Sequence, residues 1–144
     1  MGINDAIEKL VTISDEKLGL LNNLVVIWER LSSDIIRCNQ NNVTKYTNER
    51  FDMEVLISKL DLEFYRTMAE LETFGINGFD KVDSIVYPNI KNLKTIVGDI
   101  LEVEEKLSNI KLRNNQLLSN IERDSTTVSE KAISAYKKQK LNKQ

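Results

Sequence analysis

The stretch Leu93–Ile121, LKTIVGDILEVEEKLSNIKLRNNQLLSNI, decides the fold. Leu93, Ile96, Ile100, Val103, Leu107, Ile110, Asn114, Leu117 and Ile121 follow one another in alternating steps of three and four, and eight of the nine are apolar. A helix of about 3.6 residues per turn gathers such positions into one stripe. A stripe held in this register over about 30 residues must bury against another helix.

A second stripe of the same kind occupies the N-terminal quarter. It runs Ile3, Ile7, Leu10, Ser14, Lys17, Leu21, Leu24, Trp28, Leu31, Ile35, Cys38, with Ser14 and Lys17 as its two lapses. Asn4 or Asp5 can cap this helix. It reads as one helix to about Cys38, with a break at Ser14 as the alternative. Asn39-Gln40-Asn41-Asn42 then reads as a turn, because these side chains compete with helical backbone bonding. A second long helix is expected over about Thr44–Phe74. Its inward positions are Met53, Ile57, Leu60, Phe64, Met68, Leu71 and Phe74. Val55, Leu56 and Leu62 widen the stripe, so this helix is expected to touch two neighbours. Gly75 suits a left-handed stop, and Pro88 suits the first turn of the third helix. That helix is expected to end near Arg123, where Asp124-Ser125-Thr126-Thr127 breaks the pattern. A short amphipathic helix from Val128 to about Lys138 follows, with Ala132, Ile133 and Tyr136 as its apolar side.

The fold expected is all-α: an antiparallel bundle of three long helices plus a short C-terminal amphipathic helix. Residues 1–127 form the bundle, and residues 128–144 the terminal helix and basic tail. Composition agrees. The chain has 144 residues, 29% of them charged, with one Pro and five Gly. That balance suits long helices and one domain.

Composition also narrows function. There is no His, which removes the usual general base near neutral pH and the commonest metal ligand. The lone Cys38 excludes an intramolecular disulfide and a multi-cysteine zinc site, and it reads as a small buried hydrophobe. Glu102, Glu104 and Glu105, like Glu63, Glu70 and Glu72, read as solvated acidic faces, since di-iron bundles require Glu-x-x-His. No phosphate loop and no Ser- or Cys-based triad can be assembled. The expectation is a protein that is not an enzyme, with no catalytic, cofactor-binding or metal-binding residues.

Residues 128–144 carry five lysines against Glu130, a net of +4, so the remainder of the −2 chain sums to −6. An acidic body argues against nucleic acid as a partner, which needs a broad basic face. No segment approaches the ~20 apolar residues of a membrane span. MGINDAIEKL shows no secretory signal, so the cytoplasm is the expected address.

The candidate sites are therefore surfaces. Asn114, inside an apolar seam, either fixes register by demanding a hydrogen-bond partner or sits in water where the helix leaves the bundle. Trp28 reads as core packing rather than an interface anchor. The segment Val128–Lys140 reads either as a docked terminal helix or as a mobile one that leaves a groove for a partner. A groove between the third long helix and this segment would be lined by Asn114, Leu117, Ile121, Val128, Ile133 and Tyr136.

Two stretches carry a resemblance. ILEVEEKLSNIKLRNNQLLSNI (Ile100–Ile121), with its Asn-Asn-x-Leu-Leu, resembles the long penultimate helix of flagellar type III export chaperones of the FliT and FlgN kind. KAISAY (Lys131–Tyr136) resembles the Lys-Ala-x-x-Ala-Tyr ending of the FliT branch. The resemblance implies a cytoplasmic chaperone that binds a helical segment of a hook-associated or filament-cap subunit and keeps it unassembled. A homodimer is compatible with either stripe. The alternative is a structural coiled-coil protein that oligomerises into a scaffold or assembly.

Overall fold

The computed structural model describes the backbone of residues 2–142 and the side chains of residues 2–120. Three long helices make up the chain: α1 (Ile3–Ile36), α2 (Gln40–Thr73) and α3 (Asn89–Asn142). A short 3-10 turn at Phe79–Lys81 lies between α2 and α3. No strand occurs among the described residues.

Helix α1 is unbroken. The lapses at Ser14 and Lys17 interrupt its stripe and leave its backbone intact. Its N-terminal cap is Gly2, whose N–H donates to the Asp5 carboxylate at 3.3 Å, rather than Asn4 or Asp5. The chain then reverses within Arg37–Asn39, where Cys38 takes a left-handed φ of 56°. Cys38 is exposed, contrary to the buried position expected of it, because it forms the corner and not the last rung of the seam. Helix α2 begins four residues earlier than expected. Asn39 caps it, its Oδ1 accepting from the Asn42 N–H at 3.3 Å, so the Asn-rich run forms the first turn of the helix. Gly75, at φ 80°, makes the left-handed stop after α2.

The α2–α3 connection is tied down by packing. Phe64 and Phe79 meet edge-to-face at 6.4 Å between ring centroids. Asp83 Oδ1 accepts from the Ile85 N–H at 2.9 Å. Helix α3 then runs from Asn89 to Asn142 as one element, with no interruption at Asp124–Thr127. Polar residues each disfavour a propagating helix only by a few tenths of a kcal/mol. The separate terminal helix expected over Val128–Lys138 is not shown, and its side chains lie outside the described ones.

Helix α1 sits in the middle and packs along both α2 and α3, which approach each other much less closely. It runs antiparallel to α2 and parallel to α3. Glu8 faces Asn89 at one end, and Ser32 faces Asn114 at the other. The apolar core falls into two clusters. Ala6, Ile7 and Leu10 join Leu71, Val82, Ile90 and Leu93 at the end that holds the α2–α3 connection. Leu21, Leu24, Trp28 and Leu31 join Ile100, Leu107 and Ile110 toward the other end. The junction between them falls at Ser14 and Lys17.

Candidate helix-docking cleft

Because α2 and α3 both lean on α1, a cleft remains between them, floored by α1. Ionic crossings set its register. Lys17 Nζ, rising from the floor, lies 2.8 Å from Asp61 Oδ1 on α2 and 3.0 Å from Glu104 Oε1 on α3. Burial alone pushes the Lys17 pKa down, but hydrogen bonds to Asp61 and Glu104 outweigh it and hold the ammonium above the ordinary lysine range. Further along, Lys111 of α3 reaches Glu54 of α2 at 3.7 Å. Trp28 is buried beneath this second crossing, with the Arg50 guanidinium 4.6 Å and Lys111 Nζ 5.5 Å from its ring centroid. It packs as core, capped by two cations.

These crossings place the antiparallel α2 and α3 level by level. Leu101 stands between the levels of Leu62 and Tyr65, and Leu112 between those of Phe51 and Val55. All are exposed: Tyr65 73%, Phe51 61%, Leu101 61%, Leu112 59% and Leu62 50%. On α2, Phe51, Val55, Ser58, Leu62 and Tyr65 follow in steps of four and three. They form a coiled-coil stripe that no described side chain covers. Helix α2 does have two neighbours, α1 by close packing and α3 more loosely, as at Lys111–Glu54, but not through all of the residues expected to meet them. Val55 and Leu62 face away from α1, while Leu56 turns to the opposite side beside Gly19 and Leu20. Of the exposed residues, Tyr65 and Leu101 line the cleft, while Phe51, Val55, Leu62 and Leu112 stay exposed outside its lining. Further along, the cleft is lined by Glu54, Ser58, Glu104 and Ser108 above Leu21, Leu24 and Leu107.

The residues expected to line a groove distribute differently. Asn114 is fully buried. Its Nδ2 donates to the Trp28 carbonyl at 3.1 Å, and its Oδ1 accepts from the Ser32 hydroxyl. Of the two readings, the register lock is the one observed, and the helix it locks onto is α1 of the same chain. Leu117 is half-buried on the same seam. Ile121, Val128, Ile133 and Tyr136 have side chains outside the described ones. Sequence reasoning missed Phe51, Tyr65, Leu101 and Leu112. The stripe from Phe51 to Tyr65 was legible as a second heptad on α2, offset from the inward one.

Among the described residues, no group of three or more His, Cys, Asp or Glu could hold a metal ion, and no helix is long and apolar enough to cross a membrane. No protein-family profile, curated protein or solved structure matches the chain.

Proposed function

We propose that this protein is a helix-binding module whose α2–α3 cleft shelters the apolar stripe of an amphipathic helix from a protein partner. The observations that carry this reading are the exposed Tyr65 and Leu101 at the edge of the cleft and the uncovered apolar stripe Phe51–Leu62 beside it on α2. Exposed apolar surface in a continuous helical register is where a partner helix gains most by docking. The resemblance of Ile100–Ile121 and Lys131–Tyr136 to flagellar type III export chaperones supplies the partner class: a helical segment of a hook-associated or filament-cap subunit, kept unassembled in the cytoplasm.

The test is calorimetric titration with the terminal helical segments of such subunits encoded in the same genome. Leu62→Lys and Leu112→Lys should each weaken binding at least tenfold without altering the helical circular dichroism. Segments bound equally well by wild type and both variants would overturn the proposal. Deleting residues 128–144 should change affinity and leave the bundle folded. A truncated chain that unfolds would show that this segment is structural and does not gate the cleft.

One observation favours a second reading, a self-assembling structural protein. Helix α3 has 54 residues against 34 in α1 and in α2, so its last third extends past the length of its neighbours. Sedimentation separates the readings. Concentration-dependent growth abolished by Leu62→Lys, with no client binding, would support assembly.

A further inference from the structure

The junction at Ser14 and Lys17 borders a half-open cavity of about 250 Å³, below the ~300–1,000 Å³ of sites that take a whole small molecule. Its size suits one side chain. Ile13, Phe64, Val97 and Ile100 give it apolar walls, while the exposed Tyr65 and Leu101 form its lips.

Ser14 belongs to its lining, yet its hydroxyl is buried and has no hydrogen-bond partner. Among the described residues, Ser14 is the one buried hydroxyl without a partner. Thr12, Ser32, Thr47, Ser58, Thr67 and Thr95 each have the hydroxyl within hydrogen-bond reach of the carbonyl four residues back, the ordinary way a helix satisfies such a group. A buried hydroxyl left unpaired is destabilising, and a guest bringing its own polar atom would remove the penalty. At the mouth, Asp61 and Glu104 set two carboxylates against the single ammonium of Lys17.

The geometry points to this cavity as an anchor slot for a tyrosine side chain of the docked helix. The ring lies against Phe64, Val97 and Ile100, the phenol hydroxyl bonds Ser14, and a basic residue one turn away meets Asp61 and Glu104. This assignment rests on the cleft being a helix seat. Tyrosine combines the apolar body that the walls require with the hydrogen-bonding tip that Ser14 requires. Leucine or phenylalanine would fill the space and leave the hydroxyl unpaired.

The test uses p-cresol, the tyrosine side chain, and toluene, the same body without the hydroxyl, followed by methyl NMR on the full chain. Both probes should shift the methyl signals of Ile13, Val97 and Ile100. Ser14→Ala should weaken p-cresol about three- to tenfold and leave toluene unchanged. Alanine is the best helix former, so this variant stays folded. Probes that leave those methyls unmoved, or a variant that weakens both alike, would overturn the slot. Leu62→Lys, outside the cavity, should remove helix binding and keep p-cresol binding. A protein that binds client helices but never p-cresol loses the slot and keeps the helix seat. One that binds p-cresol but no helix would overturn the partner helix as the source of the guest.

Discussion

Helices α1 and α2 have the same length, 34 residues, and opposite relations to the core. Fourteen residues of α1 are buried, whereas α2 buries only Thr67 and Leu71. Helix α1 is used on two sides, against α2 and α3. Helix α2 uses one side and leaves a second, equally regular stripe bare. The contrast teaches that heptad spacing reports the need for a cover and is silent on what supplies it. In α1 the chain supplies that cover; over Phe51–Tyr65 of α2 the described residues do not.

The sharpest way to break the comparison is a matched pair of truncations. Leu24, on α1, is 1% exposed. Leu24→Ala should destabilise the bundle by about 2–5 kcal/mol, since the cavity left in a packed core adds to the lost burial. Urea unfolding followed at the helical circular dichroism band reads it directly. A loss below about 1 kcal/mol would mean that α1 is no better packed than α2.

Asn114 comes next. Removing its amide takes away a donor to the Trp28 carbonyl and the acceptor of the Ser32 hydroxyl, which keeps the Trp28 carbonyl within 3.1 Å as a fallback, so Asn114→Ala should lose about 1 kcal/mol. Ser32→Ala made in the Asn114→Leu background should recover most of that loss, because replacing both partners by apolar groups leaves nothing unpaired. A double-mutant cycle with no coupling between the two sites would remove the lock from the account of how α1 and α3 keep register.

Much of this was legible in the sequence. The Leu93–Ile121 seam marked Leu93, Ile96, Ile100, Leu107 and Ile110 as inward, and each is buried; for Asn114 it left burial and solvent open, and the residue is buried. The α1 seam and the Gly75 stop read equally well, because they depend on spacing and on backbone conformation within a few residues. Three features were hidden for physical reasons. The Asn39–Asn42 run looked like a turn because Asn favours both turns and caps, and the choice depends on where the preceding helix ends. Lys17 looked like a lapse because the carboxylates that hold it come from residues 61 and 104, beyond any local pattern. The cleft was hidden because a widened apolar stripe looks the same whether its second neighbour belongs to the chain or to a partner.

Lys17 offers a test by pH. Its folded-state pKa is raised, so the ammonium binds its proton more tightly in the folded chain. The contribution to stability is therefore fully present below the unfolded lysine value of about 10.4 and is lost as pH rises through the folded pKa. Asp61 and Glu104 are about 40% exposed at their side chains, so solvent screening limits the effect to about 1 kcal/mol. Thermal unfolding should shift down between pH 9 and about pH 11 in wild type by more than in Lys17→Met. Equal alkaline shifts in the two proteins would show that the crossing contributes nothing to holding α2 and α3 in register.

The smallest expected effect closes the matched pair. Leu62→Ala, on the bare stripe of α2, should change stability by no more than about 0.5 kcal/mol, because half of the side chain is already in water. Measured beside Leu24→Ala at a protein concentration low enough to keep the chain monomeric, it isolates intrachain cover from partner cover. A loss of about 2 kcal/mol that persists on dilution would mean that Leu62 is packed within its own chain. A loss that appears only at high concentration, or only with a client helix present, is what an uncovered stripe requires: Leu62 would then gain its contacts from the molecule that fills the cleft.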